Sequence, residues 1–139
     1  MKSIVKSSKA VHASGKRKRA VARATITPGN GAVKVNNQLL DYYEPKLARF
    51  KIMEPLLLAE KFAQKANVSI TVRGGGQMSQ ADAARLALAK AFVEFSKSNA
   101  LKDTFLNYDR HMLIADVRRK EVCKPGDSKA RKKRQKSYR

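Results

Sequence analysis

The chain has 139 residues, enough for one domain with one core, and a formal net charge of +20 from 31 Lys and Arg against 11 Asp and Glu. It contains no apolar run of about 18 residues, which excludes a membrane-spanning helix, and no apolar signal-peptide region follows Met1. One cysteine, Cys123, excludes an intrachain disulfide. We interpret Cys123 as a reduced thiol of a cytoplasmic protein rather than a metal ligand, because no Cys or His cluster accompanies it.

The positive charge is concentrated at the two ends of the chain. Residues 1–23 carry eight basic and no acidic residues, a charge of +8. Residues 24–109 carry eleven basic and eight acidic residues, or +3, and residues 110–139 carry twelve and three, or +9. Self-repulsion of this kind favours a polyanionic partner, which leaves nucleic acid, an anionic membrane or an acidic protein.

The first clear element is a strand at residues 20–27, where Ala and Ile alternate with β-branched and cationic residues. Residues 28–31, Pro-Gly-Asn-Gly, have turn composition, and residues 32–35 form a second short strand. The pattern predicts a β-hairpin with a short loop. The Lys-Arg-Lys-Arg run at 16–19 is either a solvated charge cluster or a phosphate-binding patch beside this hairpin, and the second basic end favours the patch.

Residues 38–51 have no regular periodicity. Near their end Arg49 and Lys51 flank Phe50. A ring between two cations suits RNA, because the ring stacks on a base while the cations meet phosphates. Alternatively, Phe50 packs in the core and its neighbours face water, and the sequence does not decide between these two interpretations.

A helix is predicted to start at Glu54-Pro55 and to end at Asn67, since Pro is tolerated and Glu is favoured in a first turn. Its apolar stripe is Ile52, Leu56, Ala59, Ala63 and Ala66, with Leu58 and Phe62 beside it. Residues 68–73 form the clearest strand, in which Val68, Ile70 and Val72 face one way.

Three glycines at 74–76 lead from that strand into a second helix. Ser79 and Asp82 have the spacing of a capping box, and the helix runs to about Lys97. A glycine loop before a helix resembles a phosphate-cradling loop, but the P-loop and dinucleotide motifs are absent. We therefore predict a tight strand-to-helix connection rather than a nucleotide site, with an RNA phosphate as a candidate contact. The helix should bury Ala81, Ala84, Leu88, Ala91, Phe92 and Phe95.

A third, short helix is predicted to be capped by Asn99, with Leu101, Phe105 and Tyr108 on one face. Residues 112–115 are a last apolar anchor. His111 lacks a plausible Ser or Cys partner, so we expect a structural or RNA-facing role rather than a catalytic one.

The last sixteen residues, 124–139, contain eight Lys or Arg, one Asp and one aromatic residue. This composition buries too little apolar surface to offset the entropy of ordering, so we expect the segment to be disordered until a polyanion binds it. Fully extended, it would reach about 50 Å.

Several short motifs follow one another in a fixed order. They are Arg17-Lys18-Arg19 before Ala20-Val21-Ala22-Arg23-Ala24, then Pro28-Gly29-Asn30-Gly31, Glu54-Pro55, Arg73-Gly74-Gly75-Gly76 with Gln80-Ala81, Tyr108-Asp109-Arg110 with Met112-Leu113, and the ending Arg134-Gln135-Lys136-Ser137-Tyr138-Arg139. In this order the chain resembles the small ribosomal subunit protein nine family over nearly all residues after about residue 10. The ending is similar to the archaeal and eukaryotic branch.

The resemblance implies an α/β (α+β) fold, a two-layer sandwich of a mostly antiparallel sheet with helices packed on it. This fold is similar to domain two of ribosomal protein five and includes a left-handed strand-helix-strand crossover. It divides the chain into a globular RNA-binding domain at 1–115, which includes a basic N-terminal segment, and an extended basic tail at 116–139. Two departures concern the tail's path: Pro125-Gly126-Asp127-Ser128 replaces a frequent Gly-Gly-Pro-Gly, and Arg134 replaces a frequent Tyr.

The family's location implies a structural component of the small-subunit head, bound to small-subunit rRNA and to neighbouring ribosomal proteins. The tail would contact the anticodon stem-loop of P-site tRNA. We expect no enzyme activity, cofactor, metal or membrane partner. The predicted rRNA-binding residues are Lys16, Arg17, Lys18, Arg19, Arg23, Arg49, Lys51, Arg73, Arg110, Arg118, Arg119, Lys120, Lys124, Lys129, Arg131, Lys132, Lys133 and Arg134. The predicted tRNA-proximal residues are Gln135, Lys136, Ser137, Tyr138 and Arg139.

Three other classes fit the composition less well. A DNA-binding protein would be expected to show a recognition helix rich in Arg or Asn, and the alanine-rich helix after the glycines is not one. A small kinase shares the suspected fold but needs an acidic metal-binding set and a longer chain. A membrane-surface protein needs a helix with cations opposite bulky apolar residues.

Overall fold

The structure, a computed structural model, describes residues 10–126 and 129–132. The described residues form one five-stranded sheet with helices packed on it, which confirms the predicted α+β class. The strands are β1 (Val11–Arg17), β2 (Ala20–Pro28), β3 (Val33–Val35), β4 (Gln38–Leu39) and β5 (Ala66–Arg73). The helices are α1 (Lys46–Leu58), α2 (Glu60–Ala63), α3 (Gln77–Ser96) and α4 (Asn99–Tyr108), with 3-10 turns at Leu40–Tyr42 and Arg110–Met112.

The sheet order is β1-β2-β5-β3-β4, and every neighbouring pair is antiparallel except β3 and β5. The parallel pair is joined through α1 and α2, which is the strand-helix-strand crossover that the resemblance implied. The handedness of this crossover stays a prediction.

The predicted hairpin between residues 20–27 and 32–35 is wrong. Strand β5 lies between β2 and β3, so these two strands are not neighbours. Strand β2 instead forms a hairpin with β1 through the turn Lys18-Arg19, with Lys18 at a φ of 52°, and β3 forms one with β4. The Pro-Gly-Asn-Gly segment instead crosses over the start of β5, where the Asn67 side chain accepts hydrogen bonds from the backbone N–H groups of Asn30 and Ala32.

The core lies between the sheet and α3. The buried residues of β2 are Ala20, Ala22, Ala24 and Ile26, and those of β5 include Val68, Ile70 and Val72. Small side chains let α3 approach the strands closely. A Cβ on Gly15 of β1 would lie 2.2 Å from the carbonyl oxygen of Ala83, so only glycine fits between this strand and the helix.

The first helix does not start at Glu54-Pro55. It begins eight residues earlier at Lys46, after Pro45, and runs through the segment that the sequence left irregular. Pro55 lies inside α1 and is buried. The predicted end at Asn67 is also wrong, because α2 ends at Ala63 and Asn67 belongs to β5. The helix-start preference of Pro misled the sequence-based assignment.

Two capping predictions are wrong as well. The residue before α3 is Gly76, which has no side chain to cap the helix, and the residue before α4 is Ser98, whose side chain makes no capping hydrogen bond. Ser79 and Asp82 therefore do not form a capping box, and Asp82 instead pairs with Arg17 and Lys51. The predicted burial of the α3 stripe is confirmed for Ala81, Ala84, Leu88, Ala91 and Phe92, and Phe95 is partly buried. On α4, Leu101 and Phe105 are buried, but Tyr108 is 57% exposed.

Candidate nucleic-acid interface

Three segments that are distant in sequence meet at a groove of about 840 Å³. They are the β1–β2 turn, the glycine loop with the first turn of α3, and the chain that leaves the domain at residues 118–123. Five predicted RNA-binding residues line the groove together: Lys18, Arg19, Arg118, Arg119 and Lys120. The fold thus joins the basic run near the N-terminus to the start of the basic C-terminal segment.

The glycine loop is shaped to lie against the hairpin turn. Gly74 and Gly75 adopt φ values of 75° and 70°, which favour glycine. A Cβ on Gly74 would lie 2.7 Å from the carbonyl oxygen of Arg19. The loop's path therefore depends on its glycines, and it places the uncapped N-terminus of the 20-residue helix α3 beside the cations.

The groove has a strongly positive lining. Its five cations face one lining carboxylate, Glu121, which also accepts a hydrogen bond of 2.9 Å from Arg131. The N-terminus of α3 adds partial positive charge from N–H groups that have no partner within the helix. Such a surface attracts phosphate groups and releases their counterions on binding.

A network of ion pairs lies behind the groove and fixes the chain's exit from the domain. Arg17 of β1 pairs with Asp116, just before the cations of the exit, and lies 3.7 Å from the Asp82 carboxylate. Lys51 of α1 donates to the same Asp82 at 2.7 Å. Arg17 and Lys51 were both predicted to bind RNA, and the structure places them in intramolecular ion pairs with α3 and the exit segment.

A second part of the network centres on Arg85 of α3. Its guanidinium lies 2.5 Å from Glu54 of α1 and 2.6 Å from Asp109, the residue after α4. Burial by itself raises the pKa of Asp109, but hydrogen bonds from the His111 backbone N–H and from Arg85 outweigh it and leave this pKa lowered. One arginine thus ties three helices together.

The structure excludes the interpretation in which Phe50 packs in the core, and its contact with RNA stays a prediction. Its side chain is 54% exposed and does not belong to the core. The Arg49 guanidinium lies 5.7 Å from the ring centroid and also donates to the backbone oxygen of Asp41. The exposed ring is available for stacking, as the RNA interpretation requires.

The other predicted residues fall into two sets. Lys16, Arg23, Arg73, Arg110, Lys124, Lys129, Arg131 and Lys132 are exposed, as are His111 and Cys123. Lys133, Arg134 and all the tRNA-proximal residues, 135–139, lie outside the described residues, as do Asp127 and Ser128. Their predicted roles stay predictions.

Sequence reasoning missed strand β1 and the role of Asp82 and Asp116. Strand β1 contains Gly15 and a basic run, which hid its alternation of inward and outward residues. A usable signal for Asp82 was its position on the polar side of a helix otherwise rich in Ala. No short-range pattern pointed to Asp116, since its partner Arg17 is 99 residues away along the chain.

A small α+β domain with a cationic groove and a basic exit segment is typical of structural nucleic-acid-binding proteins. Within the described residues, no group of three His, Cys, Asp or Glu side chains is arranged to hold a metal ion. None of the helices in this part of the chain has the length and apolar character needed to cross a bilayer.

Comparison with known proteins identifies the family. A family model described as "Ribosomal protein S9/S16" matches residues 15–139. The chain is 48% identical over 133 residues to "Small ribosomal subunit protein uS9" of Methanococcus vannielii, covering 94% of this chain and 99% of the relative. It is 49% identical, with the same coverage, to the protein of that name from Methanococcus maripaludis, and 47% identical over 131 residues to that of Methanothrix thermoacetophila. The chain belongs to the ribosomal protein S9/S16 family, whose members are structural proteins and not enzymes.

Proposed function

We propose that the protein is a structural component of the small ribosomal subunit in the cytoplasm, bound to small-subunit rRNA in the subunit head. The observation that carries this proposal is the groove, because it gathers Lys18, Arg19 and residues 118–120 from opposite ends of the chain into one positive surface. Family membership supports the same conclusion and favours ribosomal proteins as neighbours.

The binding mechanism is electrostatic and requires no base-specific contact. Lysine and arginine side chains neutralise phosphates and release condensed counterions, and arginine also forms paired hydrogen bonds with one phosphate. The central part of the chain carries only +3 over residues 24–109, so it serves chiefly as a scaffold. The Arg17–Asp116 ion pair sets the point at which the basic segment leaves that scaffold.

The C-terminal residues give the proposal a second part. We propose that Gln135, Lys136, Ser137, Tyr138 and Arg139 approach the anticodon stem-loop of P-site tRNA. Support comes from the resemblance of this ending to the family and from the chemistry of a terminal cation, which suits a stem phosphate.

Cys123 offers a direct test of the rRNA contact. It is the chain's single cysteine, it is exposed and it lines the groove, so its thiol can carry an iron chelate that generates hydroxyl radicals. In assembled small subunits we expect cleavage of small-subunit rRNA at a few clustered positions. The Cys123→Ser protein, treated identically, sets the background. Cleavage no stronger than that background would contradict the proposal.

A further inference from the structure

One face of the sheet carries the helices, and the other face has a composition of its own. Side chains that alternate with the buried ones point to this second face. Strand register arranges them in rows: Lys16, Val21 and Arg73; then Ser14, Arg23 and Thr71; then His12, Thr25, Ser69 and Lys34; and last Thr27 and Asn67. We call this surface the outer sheet face.

The outer sheet face has cations and hydroxyl groups but no carboxylate. The five described strands contain no Asp or Glu at all, although the chain has eleven. Lys16, Arg23, Lys34 and Arg73 are exposed on this face. Arg17, the fifth strand cation, points the other way into its ion pairs. The acidic residues of the domain therefore lie outside this face, which keeps its positive charge.

The face also has a shallow depression of about 230 Å³ where β2, β5 and β3 meet. Its polar lining is Thr25, Thr27, Lys34, Asn67 and Ser69. The side-chain oxygen of Asn67 already accepts two backbone hydrogen bonds, at 2.9 and 3.2 Å. The Thr25 hydroxyl shares a hydrogen bond of 3.0 Å with the His12 ring, and the Thr27 hydroxyl donates to the Asn67 backbone oxygen at 3.5 Å. The Ser69 hydroxyl and the Lys34 ammonium remain as the groups best placed to meet an oxygen-rich ligand.

We propose that the outer sheet face is a second RNA-binding surface, distinct from the groove, which takes the sugar-phosphate backbone of an rRNA helix. This proposal rests on the proposed function. The cations would meet phosphates, while the Ser and Thr hydroxyls would hydrogen-bond phosphate oxygens or ribose 2′-hydroxyls. Shape and backbone contacts of this kind are how proteins recognise double-stranded RNA.

Charge complementarity selects RNA over a protein as the occupant. A protein interface has an apolar centre enriched in aromatic residues, whereas charged residues are depleted there. The centre of the outer sheet face is polar and consists of Arg23, Thr25, Ser69 and Thr71. Its exposed apolar side chains are Val21, at 37%, and Leu39 at the β4 margin, at 42%. An acidic peptide would match the cations but leave the row of hydroxyls without a specific role.

The first test compares two triple variants of the full-length protein with equal loss of charge. One is Arg23→Gln, Lys34→Gln and Arg73→Gln on the outer sheet face. The control is Lys46→Gln, Lys61→Gln and Lys102→Gln, at exposed positions on three helices. We measure affinity for small-subunit rRNA against salt concentration. For the sheet variant, the slope of log affinity against log salt concentration should fall in magnitude by about three, or about one for each lost phosphate contact. The control variant should keep the slope of the unchanged protein. Equal slopes for the two variants would overturn the proposal.

The second test locates RNA directly. Ser69→Cys in a Cys123→Ser background carries the iron chelate to the outer sheet face, while the native Cys123 carries it to the groove. Cleavage of rRNA from both positions, at different sites, supports the proposal. Cleavage from Cys123 alone overturns the second surface and leaves the proposed function intact. Cleavage from neither contradicts both. A cross-linker on Ser69→Cys that captures a ribosomal protein in place of RNA would show that the face is a protein interface.

Discussion

Arg17 of strand β1 forms an ion pair with Asp116, the carboxylate that directly precedes the basic exit segment. The pair joins residues from the two strongly basic ends of the sequence and places Lys18 and Arg19 beside Arg118, Arg119 and Lys120. Arg17, which was predicted to bind RNA, therefore positions other cations. The chain's exit direction follows from this contact.

Asp116→Asn should loosen the exit segment. We expect a loss of about 1 kcal/mol or less in the free energy of unfolding by urea, because the pair is partly shielded from water at 29% and 19% side-chain exposure. RNA affinity should fall although the variant is more positive, since the groove loses its alignment. Asp103→Asn, at an exposed position of α4, is the control, because it removes the same charge at a residue that does not line the groove. Tighter RNA binding by Asp116→Asn would show that net charge outweighs positioning.

Stability should depend on pH through Asp109. Burial opposes ionisation of this carboxyl, but its hydrogen bonds from His111 and Arg85 lower its pKa in the folded state. The unfolded chain therefore binds this proton at a higher pH than the folded one, and stability falls as pH drops from the ordinary aspartate range through the lowered pKa. The free energies of unfolding of the protein and of Asp109→Asn, measured in urea, should differ most at pH values above the ordinary aspartate range. The difference should shrink as the solution is acidified, and a difference that grew on acidification would be opposite in sign to this expectation.

Gly15→Ala should destabilise the domain by about 1–3 kcal/mol, the usual cost of overpacking. The added methyl would meet the Ala83 oxygen at 2.2 Å and the Ala87 nitrogen at 2.7 Å, and both are backbone atoms that move only if α3 shifts. Ser14→Ala, at the exposed neighbouring position, should change stability by less than about 0.5 kcal/mol. The measurement is urea unfolding of both variants, and equal stabilities would show that β1 and α3 are less closely packed than the structure indicates.

Lys18→Gln and Lys51→Gln each remove one charge that was predicted to contact RNA. Lys18 lines the groove, whereas Lys51 is paired with Asp82 at 2.7 Å. Lys18→Gln should reduce the magnitude of the salt slope of rRNA binding by about one, and Lys51→Gln should leave it unchanged. Equal reductions would place Lys51 on the RNA despite its ion pair.

Removal of residues 136–139 should weaken P-site tRNA binding while the shortened protein stays in the subunit. The deletion leaves the groove and the outer sheet face untouched. Subunits carrying the full-length and shortened proteins are compared for tRNA affinity at matched occupancy of the protein. Unchanged tRNA affinity would contradict the tRNA contact without affecting the rRNA contact.

The strand at residues 68–73 was predictable from sequence because it depends on local alternation, whereas the fold class followed from the resemblance to a known family. Val68, Ile70 and Val72 are buried as that pattern requires. The strand order was not predictable, since a turn sequence such as Pro28–Gly31 says that the chain reverses but not which strand it joins. The Asn67 side chain, 37 residues from Asn30, organises that loop.

The cations of the candidate site were predictable from the sequence, but their arrangement in space was not. The basic run at 16–19 divides three ways: Lys16 lies on the outer sheet face, Arg17 points toward Asp82, and Lys18 and Arg19 lie in the turn at the groove. Strand alternation separates Lys16 from Arg17, and β1 had not been recognised as a strand. The outer sheet face was visible in principle, because the strand sequences have no acidic residue.

The most direct test of the central claim is sedimentation of the protein with small ribosomal subunits through a high-salt wash. A scaffold bound to rRNA through several surfaces should remain with the subunits at about one copy per particle, while loosely associated basic proteins are released. Recovery of the protein in the wash, or its distribution among fractions without small subunits, would contradict a structural role in the particle.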